Sequence, residues 1–128
     1  EEDYKDTAKD YHYDTSKYQL VSAQHTLQAA QHTYNATIQN FEMNFRTLYM
    51  QVKDYQQILS ASRAALSSQE ATYASLQLKY EQGNLSQNAL LDAADQVSAA
   101  QESVEKAELD LFSAYNSYCW AVEHGILN

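Results

Sequence analysis

The sequence predicts an all-α protein built as one long antiparallel coiled-coil hairpin with unequal arms, a long helix over about 10–82 and a shorter one over about 86–124. Three observations predict it. The chain of 128 residues has no Pro and only two Gly, so it is poor in the residues that make turns. Apolar residues recur at alternating steps of three and four, the coiled-coil period. One short turn signal, Gln82-Gly83-Asn84-Leu85-Ser86, separates two such runs.

The first run is clearest as Ile38, Phe41, Phe45, Leu48, Val52, Tyr55, Leu59, Ser62, Leu66, Gln69, Tyr73, Leu76 and Tyr80. Only Ser62 and Gln69 are polar. Upstream it continues as Leu20, Ala23, Leu27, Ala30 and Tyr34, within a short repeat: Ser22-Ala23-Gln24-His25-Thr26-Leu27-Gln28 is echoed by Ala29-Ala30-Gln31-His32-Thr33-Tyr34-Asn35. Two successive steps of four, Ala30 to Tyr34 to Ile38, form a stutter, which locally unwinds a left-handed supercoil without breaking the helix.

The second run is more regular. Leu90, Val97, Val104, Leu111 and Tyr118 form one row, and Ala93, Ala100, Ala107, Ala114 and Ala121 form another between them. Large residues alternating with alanine let two backbones approach closely, so this row is expected to be the close-packed seam. At the hinge, Gly83 suits the left-handed residue that ends a helix. Ser86 suits the N-cap of the next. Leu85 and Leu90 have the spacing of a hydrophobic staple. A link this short makes the helices antiparallel. At the far end, Gly125 is expected to terminate the second helix, with His124 in its last turn and Ile126 folding back onto it.

At about 1.5 Å per residue the long helix would span roughly 100 Å and the short one roughly 55 Å. The shorter arm therefore covers about half of the longer. Either the remaining half packs on other chains, or the long helix reverses near Gln39-Asn40 to give a three-helix bundle. No Gly or Pro marks such a reversal, which favours the unbroken helix. The whole chain, 1–128, reads as a single helical hairpin domain, with the acid-rich residues 1–12 expected as a frayed terminus. The absence of an initiator Met fits a mature product or a piece of a longer protein.

Composition narrows the function. A net charge of −9 with eight scattered basic residues argues against nucleic acid as a partner. No apolar run reaches the roughly 20 residues of a membrane-spanning helix. Cys119 is the only cysteine, so no internal disulfide forms. His25 and His32 lie two turns apart, not at the three- or four-residue spacing of a helical zinc pair, and no metal or other cofactor is expected. Asp92 and Asp95 share a face but lack the cleft that an acid–base pair needs, and no nucleophile motif is present. The chain is not expected to be an enzyme. Its many tyrosines, Tyr34, Tyr55, Tyr73, Tyr80 and Tyr118 among them, suit a seam that keeps each hydroxyl at the wet edge.

Tyr80-Glu81-Gln82-Gly83, followed by Leu90-Leu91-Asp92-Ala93 and the ladder Val97, Ala100, Val104, Ala107 and Leu111 up to Gly125-Ile126-Leu127, resembles the periplasmic helical hairpin of TolC-type outer-membrane efflux proteins. The resemblance covers about Tyr18 to Leu127 and includes the unequal arms. It implies one hairpin of a trimeric export channel in the cell envelope. Gly83, Asn84, Leu85 and Ser86 would form a tip that contacts a periplasmic adaptor protein, and Asp92 would match an acid of the pore entrance. Two positions depart from the family pattern: Ala89 stands where a second acid often occurs, and Leu85 where a basic or polar tip residue is common. No alternating barrel strands are present, so contact with a membrane would come only through segments outside this chain. The alternative is a free-standing coiled-coil interaction module that forms a homo-oligomeric helical bundle.

Overall fold

The computed structural model describes residues 2–125, with the side chains of 4–125. Among them the protein is an all-α helical hairpin of two helices, α1 (Glu2–Glu81) and α2 (Gln87–His124). The helix α1 starts at Glu2 rather than near residue 10, and takes in residues 2–12. No Gly or Pro interrupts that stretch, and an acid-rich sequence suits the positive end of a helix dipole. The stutter at Tyr34 to Ile38 and the Asn40 region are helical, so the three-helix alternative is not adopted. The chain divides into two compact units, Glu1–Met43 and Asn44–Asn128.

The second unit contains the hairpin. Its turn is built as the sequence predicts. Gly83 is left-handed, with φ of 78°, and two bonds close the helix end: Gly83 N–H donates to the Tyr80 carbonyl and Asn84 N–H to the Lys79 carbonyl, both at 2.9 Å. Together they form the Schellman arrangement. The α2 helix then starts at Ser86, whose extended backbone and hydroxyl, accepting from Ala89 N–H at 3.3 Å, make it the N-cap. Leu85 and Leu90 are both half-buried, as a staple requires. At the other end Gly125, left-handed at φ of 60°, donates its N–H to the Ala121 carbonyl at 2.9 Å. The fold-back of Ile126 lies outside the described residues.

Adding a Cβ at Gly83 would meet nothing within 4 Å, so the cost of a side chain there is purely conformational. Gly83→Ala is expected to destabilise the hairpin by about 1–2 kcal/mol, the cost of a left-handed L-residue. Urea denaturation followed by circular dichroism measures it. No change would mean that the turn can close without a positive φ.

Between the caps, the two rows meet. Val52, Leu59, Ala93, Ala107, Ala114 and Ala121 are buried, with Ala121 only 1% exposed. Phe45, Leu48, Tyr55, Ser62, Leu66, Gln69, Tyr73 and Leu76 on α1, and Leu90, Val97, Ala100, Val104, Leu111 and Tyr118 on α2, are half-buried. Counting outward from Gly83 sets Tyr73 level with Ala93, Leu66 with Ala100, Leu59 with Ala107, Val52 with Ala114 and Phe45 with Ala121. Every large residue of that α1 row thus lies level with an alanine. Cross-helix contacts follow this register to within about a turn for the rings and a little further for the long Arg63 side chain. The Phe45 and Tyr118 rings sit 5.3 Å apart, and Arg63 pairs with Glu108 at 2.8 Å. Both side chains of that ion pair are at least half exposed, so it contributes about 0–1 kcal/mol. The alanine row carries the packing.

The first unit differs in kind. Every described side chain from Tyr4 to Met43 is exposed. Leu20, Leu27 and Tyr34 are 68%, 64% and 66% exposed, although they continue the same helical spacing.

Candidate assembly surfaces

Three surfaces were legible in the sequence: the hinge, the acid Asp92 and the seam. The hinge residues Gly83, Asn84 and Ser86 are exposed, while Leu85 is half-buried. Ser86 and Gly83 are committed to caps, so the side chains left for a partner at this turn are Asn84 and the outer part of Leu85. Asp92 is exposed and is the sixth residue of α2. The helix-dipole effect is concentrated in the first turn, and the first turn of α2 holds no acid. Asp92 is therefore poorly placed to stabilise its own helix, and its carboxylate stands free for an external contact. Asp95, one turn on, is exposed as well.

The seam is internal. Ala93, Ala107, Ala114 and Ala121 face α1 and are spent on the hairpin; Ala100 is half-buried. Ala100 lies between two layers that contain a polar residue, Gln69 level with Val97 and Ser62 level with Val104, where packing is thinner. The wide end of the hairpin has an aromatic cluster. Tyr118 touches both Phe45 and Tyr49, the Tyr49 ring lies 5.4 Å from the Lys53 ammonium, and Trp120 stacks on His124 at 4.8 Å. The Cys119 thiol, one turn on from Tyr115, pushes the Tyr115 phenol up from its ordinary value. Tyr115 is exposed, as are Phe112 and Val122 on the same helix.

The largest open surface is the first unit of α1. Following apolar spacing finds Leu20, Ala23, Leu27, Ala30 and Tyr34, but misses a second signal. All seventeen acidic and all eight basic residues lie outside 18–41. Soluble surfaces usually carry charge on roughly a quarter or more of their residues. A helical stretch of about 36 Å with none is unusual for a face meant to stay in water. Threonines line one flank of it. The Thr26, Thr33 and Thr37 hydroxyls donate to the Ser22, Ala29 and Thr33 carbonyls at 2.9–3.0 Å, so they are turned in toward their own helix.

Among the described residues no cluster of three or more His, Cys, Asp or Glu is arranged to hold a metal ion, and no helix is long and apolar enough to cross a membrane. No family model, curated protein or solved structure matches the chain.

Proposed function

We propose that the chain works by assembly, as a helical hairpin that offers the first unit of α1 to other helices. The observation that carries this reading is the exposed row Leu20, Leu27 and Tyr34 on a charge-free stretch of helix. Exposed apolar surface of that extent marks an interaction site. The row suits a helix as partner, because it is narrow and alternates large residues with alanine.

One form of the assembly is a tunnel hairpin of a TolC-type efflux channel, with the hinge as the adaptor-contacting tip and Asp92 at the pore entrance. The unequal arms, the capped turn and the free carboxylate of Asp92 support it. Threefold assembly would gather Asp92 into a ring, where the like charges together attract cations. Asp92→Asn in the full-length protein is then expected to change conductance or cation block while assembly stays intact. Unchanged conductance in assembled channels would remove Asp92 from the pore.

The other form is a stand-alone coiled-coil module that pairs with copies of itself. The charge pattern favours it: copies with a net charge of −9 repel along most faces, but not along 18–41. The two forms differ in orientation, since hairpins that share one tunnel wall all point the same way.

A further inference from the structure

The charge-free stretch is bounded by Lys17 on one side and Glu42 on the other, both exposed. Between them, Leu20, Ala23, Leu27, Ala30 and Tyr34 repeat the order of the α2 ladder, in which a large residue is followed three positions later by alanine. In α2 that ladder is packed against another helix, and four of its five alanines are buried. In the first unit the same ladder lies open.

We infer that residues 18–41 pair with the same residues of a second copy, running antiparallel. This rests on the reading that the chain assembles through α1, and adds the partner, the orientation and the register. Setting Leu27 level with the second copy's Ala30 sets Leu20 level with its Thr37, and Tyr34 level with its Ala23. Each large side chain then faces a small one or a threonine, as in the hairpin. The Thr37 hydroxyl is held by the Thr33 carbonyl, so its methyl is what it has to offer a neighbouring leucine.

The same register settles the ends. At about 3.6 residues per turn, Lys17 and Glu42 fall on the same flank of the row. Antiparallel helices bring like flanks together. Lys17 of each copy then comes within about 3 Å, along the axis, of the level of the other's Glu42. Opposite charges close both ends of an otherwise uncharged interface. A parallel pair would place the two Lys17, and the two Glu42, on opposite flanks of the seam, where neither meets a charge of the other sign, and would align the helix dipoles unfavourably. His25 and His32 fall on the opposite face of the helix, away from the pairing row.

Charge reversal and spin labelling test this in the full chain. Lys17→Glu alone, and Glu42→Lys alone, are each expected to weaken self-association roughly tenfold, because two attractions of surface ion-pair strength become two repulsions. The double reversal is expected to restore it. Weakening without recovery overturns the antiparallel register. In a Cys119→Ser background, nitroxide labels at Gln28→Cys are expected to lie close across the pair. Labels at Gln39→Cys are expected to be offset by about 30 Å along the axis. Similar distances at both positions, with no axial offset at Gln39, overturn the orientation but leave assembly through α1 standing, as a tunnel wall would require. Unpaired labels at both positions, in a chain that stays monomeric at high concentration, overturn the inference together with the reading it rests on.

Discussion

Ala107→Leu is expected to destabilise the hairpin by about 1–3 kcal/mol, while Ser98→Leu on the same helix has little effect. Ala107 is 3% exposed and level with Leu59, itself 9% exposed. Replacing the Ala107 methyl by an isobutyl group adds three carbons at a buried position. The larger side chain has to push the helices apart or force one leucine off its preferred rotamer, and overpacking of this kind costs about that much. Ser98 is exposed on the outer side of α2. A leucine there meets water and slightly improves helix propensity. For a cooperative unit of this size, each kcal/mol moves the melting temperature by about 4–8 °C, so thermal denaturation separates the two variants clearly. Equal shifts would mean that the alanine row is not a close-packed seam.

Leu59→Ala is the converse experiment, and its expected cost is about 2–4 kcal/mol. Truncation of a buried leucine loses its transfer free energy and leaves a cavity. Here the new alanine would face Ala107, so two small residues meet in the middle of the seam. The two-helix layer is open at its flanks and can partly collapse, which keeps the cost below the upper end seen in closed cores. Leu27→Ala supplies the contrast. Leu27 has the same chemistry and the same place in its row, but it is 64% exposed. Its loss is expected to change hairpin stability by less than about 0.5 kcal/mol and to weaken self-association instead. If Leu27→Ala lowered the melting temperature of the monomeric chain as much as Leu59→Ala does, the division of α1 into a packed unit and an open one would fail.

How far the fold was legible follows from what each signal depends on. The rows from Phe45 to Leu76 and from Leu90 to Ala121 were readable because one chain contains both partners. The period of each row then fixes the face that the other must cover. Tyr80 continues the first row but is 40% exposed, because it stands at the helix end where the chain turns and the opposite helix has yet to begin. Ala100 was expected to be as buried as its neighbours and is half-buried, since polar Ser62 and Gln69 thin the layers on either side. The caps at Gly83, Ser86 and Gly125 were readable because each depends on local chemistry alone. The cover for Leu20, Leu27 and Tyr34 was not, because a row declares that it has a partner without naming it. The second clue, the lack of charge over 18–41, was present in the sequence all along. It is invisible to a search for apolar spacing because it is carried by Gln, Asn, Thr and His.

The most direct test of assembly through α1 is sedimentation equilibrium of the chain over a wide concentration range, with circular dichroism on the same samples. Long helices owe most of their stability to the surfaces they bury rather than to intrinsic propensity. In the first unit every described side chain from Tyr4 to Met43 is exposed. Helical content and association are therefore expected to rise together as concentration increases, and Leu20→Lys with Leu27→Lys is expected to suppress both while leaving the hairpin folded. A chain that remains monomeric at high micromolar concentration, with α1 fully helical, would contradict the account.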